Sequence, residues 1–284
     1  METGTLYICA TPIGNLEDIT LRVLRCLREA DLIAAEDTRN SLRLLNHFEI
    51  RTPMTAYHEF NKYDKARALV QELLRGKNIA IITDAGTPCI SDPGEELVRQ
   101  AAEAGVPITS LPGPAAVVTA LTLSGLSTRR FAFEAFLPQD KKERARILAE
   151  LREESRTILL YEAPHHLRQT LRELSDVLGG TRRLTLCREL TKRHEEVLRT
   201  TLTEAVERYR IEEPRGEYVL ALEGKSLRER RAEAIRSWEN VPLCEHIERY
   251  RSQGMSEMDA MKAAAKDRGV SKREIYKEWK SRRA

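Results

Sequence analysis

The stretch Ile79–Gly94, Ile-Ala-Ile-Ile-Thr-Asp-Ala-Gly-Thr-Pro-Cys-Ile-Ser-Asp-Pro-Gly, leaves this chain few ways to fold. Its first four residues form a continuous apolar run, the pattern of a strand covered on both faces inside a parallel sheet. A loop follows with two carboxylates (Asp84, Asp92), two glycines (Gly86, Gly94), two prolines (Pro88, Pro93) and two hydroxyls (Thr87, Ser91). Helical periodicity then resumes at Leu97, Val98, Ala101 and Ala102 and stops near Gly105. Strand-to-helix connections usually take about 2–6 residues, and this one is longer and heavily punctuated. Loops at the carboxyl ends of parallel strands are where open α/β sheets bind ligands, and glycines let a ligand lie against bare backbone. The stretch therefore reads as a binding loop rather than a plain connection.

The same unit recurs through the first half of the chain. Leu6–Ala10 reads as a strand, Thr11-Pro12-Ile13-Gly14-Asn15 as its loop, and Thr20 as the cap of a helix with Leu21, Leu24 and Leu27 on one face. Leu32–Ala35 is a second strand ending in Glu36-Asp37-Thr38-Arg39, with a short helix over Ser41–Phe48. Met54–Tyr57 is a third, followed by His58-Glu59-Phe60-Asn61 and a helix over Lys65–Leu74 that Gly76 ends. Pro107–Leu111 is a fifth, followed by Pro112-Gly113-Pro114-Ala115 and an apolar helix to Leu123. Alternating strands and helices predict a parallel sheet. Its carboxyl edge would gather Asn15, Glu36, Asp37, Arg39, His58, Asn61, Asp84 and Ser91.

After Gly125 the texture changes. Strands are expected over Phe131–Leu137, Arg156–Tyr161, Leu184–Cys187, Glu196–Leu202 and Gly216–Leu222, closer together and more hairpin-like, which predicts a mixed sheet. Residues 227–240 read as a charged linker, and helices follow over Leu243–Arg251, Met258–Arg268 and Lys272–Trp279. The expected division is an N-terminal α/β domain over 1–115, a second α/β domain over 116–226 and a basic helical domain over 240–284.

Composition narrows the class. With 284 residues, 41% hydrophobic and 32% charged, the chain is expected to be globular, and no apolar run approaches the ~18 residues of a membrane span. The N-terminus has no basic segment ahead of an apolar one, so no leader peptide is expected and the cytoplasm is the expected compartment. The five cysteines form no C-x-x-C pair; Cys9 and Cys187 sit in apolar runs and read as core. Residues 225–284 carry 16 Lys/Arg against 10 Asp/Glu, whereas the rest of the chain carries 31 against 34. Such a basic appendage suits a polyanionic partner, although an interleaved solvated surface would look similar. No G-x-G-x-x-G follows a strand, Gly224-Lys225-Ser226 lacks the first glycine of a phosphate loop, no G-x-S-x-G occurs, and His165-His166 lacks an H-E-x-x-H frame.

Seven motifs in unbroken order carry a resemblance: Thr-Pro-Ile-Gly-Asn-Leu-Glu-Asp-Ile-Thr (11–20), Ala-Glu-Asp-Thr-Arg (35–39), Asp-Ala-Gly-Thr-Pro-Cys-Ile-Ser-Asp-Pro-Gly (84–94), Pro-Gly-Pro (112–114), Glu-Ala-Pro-His (162–165), Arg-Glu-Leu-Thr-Lys (188–192) and Arg-Gly-Glu-Tyr-Val (215–219). Over residues 4 to about 224 the chain resembles the ribosomal RNA small subunit methyltransferase I family, which has the two-domain tetrapyrrole methylase fold. The helical tail is similar to that family's C-terminal extension. Thr83 stands where the pattern has Ser, and His166 where it has Arg, exchanging a permanent cation for an imidazole. The resemblance implies S-adenosylmethionine as methyl donor with no metal, a ribose 2′-hydroxyl of a decoding-centre cytidine in 16S rRNA as acceptor, the small ribosomal subunit as partner, and a homodimer. It places the donor against Pro12, Asp84, Gly86, Thr87, Ile90, Ser91, Gly113, Pro114, Ala115, Tyr161, Leu190, Gly216, Glu217 and Val219. Asp37, His58 and Glu162 are the candidates for orienting or deprotonating the acceptor hydroxyl. Arg39, Asn61, Lys192 and Arg193 are the candidates for holding RNA. Two rivals remain at this point: a methylase of the same fold with a tetrapyrrole or protein acceptor, and a non-catalytic ribosome assembly factor.

Overall fold

The computed structural model describes residues 2–281. Strands β1 (Leu6–Cys9), β2 (Leu32–Ala35), β3 (Met54–Ala56), β4 (Ile79–Ile82) and β5 (Ile108–Leu111) form one sheet in the order β3-β2-β4-β1-β5, every neighbouring pair parallel. All four residues of β4, the central strand, are buried. Strand periodicity sends Ala80 and Ile82 into the core beneath α1 (Leu21–Glu29) and α2 (Thr38–His47). It sends Ile79 and Ile81 into the opposite core beneath α3 (Lys62–Leu74) and α4 (Gly94–Glu103). Each fully buried isoleucine contributes roughly 1.5–3 kcal/mol, so the apolar run fixes the strand in the middle of the sheet. Thr20 caps α1 by accepting the Val23 amide, as its sequence position predicts.

Helix α5 (Ala116–Ser124) leaves the first sheet and packs Ala120 and Leu121 onto the second. That sheet contains β6 (Phe131–Ala135), β7 (Thr157–Glu162), β8 (Arg183–Arg188), β9 (Glu196–Thr201) and β10 (Tyr218–Leu222), ordered β6-β7-β10-β8-β9. β6 runs parallel to β7 and the remaining pairs are antiparallel, the mixed sheet that the spacing predicts. On the face away from α5, α6 (Lys141–Glu153), α7 (Pro164–Leu178) and α8 (Leu202–Ile211) bury leucines against Ile158, Leu160 and Leu220.

Two expectations need correction. Helix α2 starts at Thr38, ahead of the expected Ser41, because the Asp37 side chain accepts the Arg39 amide and caps it there. Residues 227–240 are not a linker throughout: Leu227–Arg236 is helix α9, opened by a capping box between Ser226 and Glu229. It buries no residue, so it has no apolar stripe to betray it, but Arg, Glu and Ala are good helix formers.

The chain divides into two compact units, residues 1–152 with 157–223 and residues 153–156 with 224–284. The second holds α9, α10 (Leu243–Ser252), α11 (Glu257–Arg268) and α12 (Lys272–Ser281) around a core of Leu243, Ile247, Met261, Ile275 and Trp279. Among the described residues no helix is long and apolar enough to cross a membrane.

Candidate active site

The loop after β4 is the hub of the carboxyl edge. Thr11 and Gly86 exchange both backbone hydrogen bonds, at 2.9 and 3.0 Å, joining it to the loop after β1. Thr87 Oγ1 donates to the Pro114 carbonyl at 2.9 Å, joining it to the loop after β5. Asp84 accepts from the Asp37 amide (3.2 Å) and from Asn40 Nδ2 (3.0 Å), joining it to the start of α2. Tyr57 Oη, at the end of β3, donates to the Pro93 carbonyl at 2.8 Å. Gly86 makes the first of these contacts possible. Its φ of +87° disfavours L side chains, and a Cβ there would stand 3.2 Å from Ile13 Cγ2.

The opposite wall comes from the loop after β8 and the start of β10. Glu189 Oε1 accepts from the Glu217 amide (3.0 Å) and from Lys192 Nζ (2.9 Å), and Lys192 also reaches Glu217 Oε2 at 2.9 Å. Gly216, at φ +75°, admits this arrangement, because a Cβ would lie 2.5 Å from Glu189 Cγ. Backbone strain collects around the same space. Cys89, Ser91, Ala135, Glu189 and Thr191 all have φ between +51° and +69° without being glycine. Such residues persist where surrounding structure over-determines them, commonly at functional sites.

Between the walls lies a cavity of about 430 Å³, within the usual range for small-molecule sites of roughly 300–1,000 Å³. Ile13, Val117, Cys187, Leu190 and Val219 give it an apolar floor. Glu36, Asp84, Asp92, Glu162, Glu189 and Glu217 bring six carboxylates to it, against the single ammonium of Lys192. Burial pushes Asp92 up, against its bonds from the Gly94 and Ile90 amides. Burial also works to raise Glu189, but Lys192 and the Glu217 amide outweigh it and hold that carboxyl below its ordinary value. Glu162 is 5% exposed; its Oε1 accepts from the Ala163 amide (2.9 Å) and its Oε2 from Thr170 Oγ1 (2.5 Å). Arg144 Nη2 in turn donates to Thr170 Oγ1 at 2.8 Å. Glu36 accepts from Thr83 Oγ1 at 2.6 Å, so the hydroxyl retained at position 83 is used.

Of the residues expected to hold the donor, Asp84, Gly86, Thr87, Ile90, Ser91, Ala115, Tyr161, Leu190, Glu217 and Val219 line this cavity. Pro12, Gly113, Pro114 and Gly216 are not among the lining residues; of these, the Pro114 carbonyl holds the Thr87 hydroxyl and Gly216 lies against Glu189. Of the three acceptor-side candidates only Glu162 lines it. Asp37 bonds Arg39, whose guanidinium and amide hold its carboxyl at about 2, and it caps α2. His58 lies in a turn, its Nε2 3.4 Å from Asn61 Nδ2 and its Nδ1 buried without a hydrogen-bond partner. Asn61 is engaged inside that turn, accepting the His58 amide and donating to the Ala56 carbonyl. Arg39 and Arg193 are exposed, while Lys192 is committed to its two glutamates. The lining also contains residues that the motifs did not assign to the site, including Glu36, Asp92, Phe136, Glu189 and Tyr218. Four of these, Glu36, Asp92, Glu189 and Tyr218, lie inside quoted motifs and were legible there, and only Phe136 lies outside them.

Comparison with known proteins identifies the family and the fold. Residues 5–206 match the model of the tetrapyrrole (corrin/porphyrin) methylases. The chain is 47% identical over 275 residues to ribosomal RNA small subunit methyltransferase I of Halalkalibacterium halodurans, covering 97% of this chain and 94% of that one. It is 43% identical, with the same coverage, to the protein of that name from Bacillus subtilis. Among solved structures, a diphthine synthase superposes with a TM-score of 0.63 at 15% identity, over 85% of this chain and 98% of that one. Uroporphyrin-III-C-methyltransferase from Thermus thermophilus superposes with a TM-score of 0.56 at 20% identity, over 78% and 94%. These two likenesses establish the fold, and the closer sequence relatives establish the membership. The chain belongs to the ribosomal RNA small subunit methyltransferase I family, within the tetrapyrrole methylases.

Proposed function

We propose that this protein transfers a methyl group from S-adenosylmethionine to the ribose 2′-hydroxyl of a decoding-centre cytidine in 16S rRNA of the small ribosomal subunit. The observation that carries the donor assignment is the charge of the cavity: six carboxylates and one ion-paired lysine over an apolar floor. S-adenosylmethionine bears a sulfonium and an ammonium against one carboxylate, so it is a cation overall and suits such a lining. The names of the sequence relatives support the acceptor class.

When bound, the donor supplies an electrophilic methyl on sulfur. The chain's own residues do the rest. The loop after β4 and the Glu189–Lys192–Glu217 wall hold the donor between them. Alignment of this kind can supply on the order of 7–11 kcal/mol. Glu162 is proposed to orient the acceptor hydroxyl and take its proton, since both its oxygens keep a free lone pair beyond the bonds from Ala163 and Thr170. Arg39 and Arg193, exposed, are proposed to steady phosphates.

Mass spectrometry of 16S rRNA from a strain lacking the gene tests this reading. Loss of one ribose methyl at a single decoding-centre cytidine, restored by the purified protein and labelled donor, is the expected result. Transfer to a tetrapyrrole or a protein instead, or donor binding with no transfer at all, would refute it.

A further inference from the structure

Strand β6 carries a feature that the catalytic reading leaves unused. Phe133 pairs with Leu159, but Ala135 pairs with the next residue, Leu160, so Glu134 is an extra residue in the strand. The bulge changes the parity of the residues after it. In a regular strand Phe136 would face away from Phe133; one inserted residue returns it to the same face. Ala135 completes the turn at φ +57°, a conformation that L-residues avoid. The result is an aromatic row along the cleft, with Phe133 and Tyr161 centroids 4.9 Å apart and Phe136 and Tyr161 5.6 Å apart.

Phe136 lines the cavity yet is 56% exposed, whereas Leu190 and Val219 on the floor are 5% exposed. A bulge and a strained alanine thus hold a phenyl ring at the cavity mouth with much of its surface open. From this we infer that Phe136, backed by Tyr161, is the platform on which the base of the acceptor nucleotide stacks when its ribose enters the cleft. The inference rests on the proposed rRNA acceptor. Bases splayed out of single-stranded RNA commonly stack on such rings. The platform makes Phe136 a positioning residue for the acceptor.

The test uses the full chain with Phe136→Leu, which keeps apolar bulk without a π-face, and Phe136→Trp, which keeps the face. Calorimetry gives the S-adenosylmethionine affinity, and labelled methyl transfer is followed against small-subunit concentration. Stacking on an aromatic ring is typically worth a factor of about 10–100 in affinity. The leucine variant should therefore raise the half-saturating subunit concentration by about that factor. Donor affinity should stay within about twofold, and the rate at saturating subunit should change little. The tryptophan variant should restore wild-type saturation. Donor affinity falling in the leucine variant would make the ring a wall of the donor site and would overturn the proposal. Leucine and wild type behaving alike, or tryptophan failing to rescue a folded protein, would overturn it too. If the wild-type protein methylated no rRNA, the functional reading would fail first, visibly, and the platform with it.

Discussion

Replacing Glu162 separates chemistry from architecture. The carboxylate is buried at 5% exposure and satisfies two donors, the Ala163 amide and the Thr170 hydroxyl, the latter also contacted by Arg144. Glu162→Ala strands both donors. At about 1–3 kcal/mol for each buried unsatisfied group, the loss should be about 2–6 kcal/mol. For a unit of this size each kcal/mol shifts the melting temperature by about 2–4 °C, so a fall of roughly 4–24 °C is expected. Glu162→Gln behaves differently. Its carbonyl still accepts from Ala163, and its amide can donate to Thr170 once that hydroxyl rotates. The hydroxyl proton then lacks its acceptor, at a cost of about 1 kcal/mol. The glutamine variant should therefore stay folded at assay temperature. Single-turnover methylation, with enzyme and donor saturating and small subunits limiting, then reports the chemical step. Removing a general base typically slows that step by about 10²–10⁴-fold, and a loss of that size is expected in Glu162→Gln. A glutamine variant that methylates at the wild-type rate would refute the assignment and leave Glu162 as a tie between β7 and α7.

Three further outcomes rest on the same geometry. Gly86→Val should abolish donor binding in calorimetry while leaving the far-ultraviolet circular dichroism of the folded chain in place, because a branched side chain at φ +87° meets Ile13 and parts the loops that Thr11 and Gly86 join; near-native affinity would show the loop is not the binding element. Glu36→Gln removes one negative charge from the cavity and should weaken S-adenosylmethionine about 2- to 10-fold but S-adenosylhomocysteine, which lacks the sulfonium charge, much less, since a unit charge at about 6 Å is worth roughly 3 kcal/mol before solvent screening; equal losses for both ligands would rule out an effect of the sulfonium charge. In the helical unit His246 is stacked on Trp238 and bonded to Asp267 and Arg268, with Tyr250 and Arg249 also nearby; burial depresses its pKa, with Asp267 opposing and Arg268 assisting. The unfolded chain then takes up the proton first, so the stability contribution is present above about pH 6.5 and is lost as pH falls through the depressed folded value; melting of this unit measured from pH 7.5 down to 5 should show that loss in the wild type and not in His246→Gln.

The parts of the fold that were legible in the sequence were those written in local pattern. Ile79–Ile82 declared a buried strand because four consecutive apolar residues followed by punctuation suit a strand covered on both faces. The loop after β4 stood out for the same reason, and most of the residues expected to hold a donor line the cavity. The features that stayed hidden depend on parity and on distant partners. Glu36 and Asp37 are adjacent acids at a strand's end, where the two-residue period stops; the first lines the cavity, and the second turns to cap α2 and pair with Arg39. Lys192 was a candidate for holding RNA; one of its two partners, Glu189, is three positions away in the same motif, but the other, Glu217, is 25 positions away in sequence. Phe136 reaches the cleft through a bulge that leaves no composition signal. Helix α9 hid because a fully solvated helix needs no apolar stripe.

The charge of the cavity divides the work of recognition. A polyanion gains nothing from a space lined by six carboxylates whose one ammonium is already paired. Within the cleft the backbone phosphates of an RNA would meet repulsion, at several kcal/mol for a close pair in a partly desolvated site. The neutral parts of a nucleotide, its ribose and base, meet no such repulsion there. On the proposed reading, phosphates are met outside it, by exposed cations such as Arg39 and Arg193 and by residues 225–284, which carry 16 basic against 10 acidic residues. On that reading, affinity for RNA and selection of the reacting nucleotide are borne by different residues. The first should be strongly salt-dependent, as phosphate contacts are, while stacking on an aromatic ring inside an acidic cleft should be far less so. An enzyme working as proposed would find its substrate by charge at a distance and admit the reacting nucleotide by excluding charge.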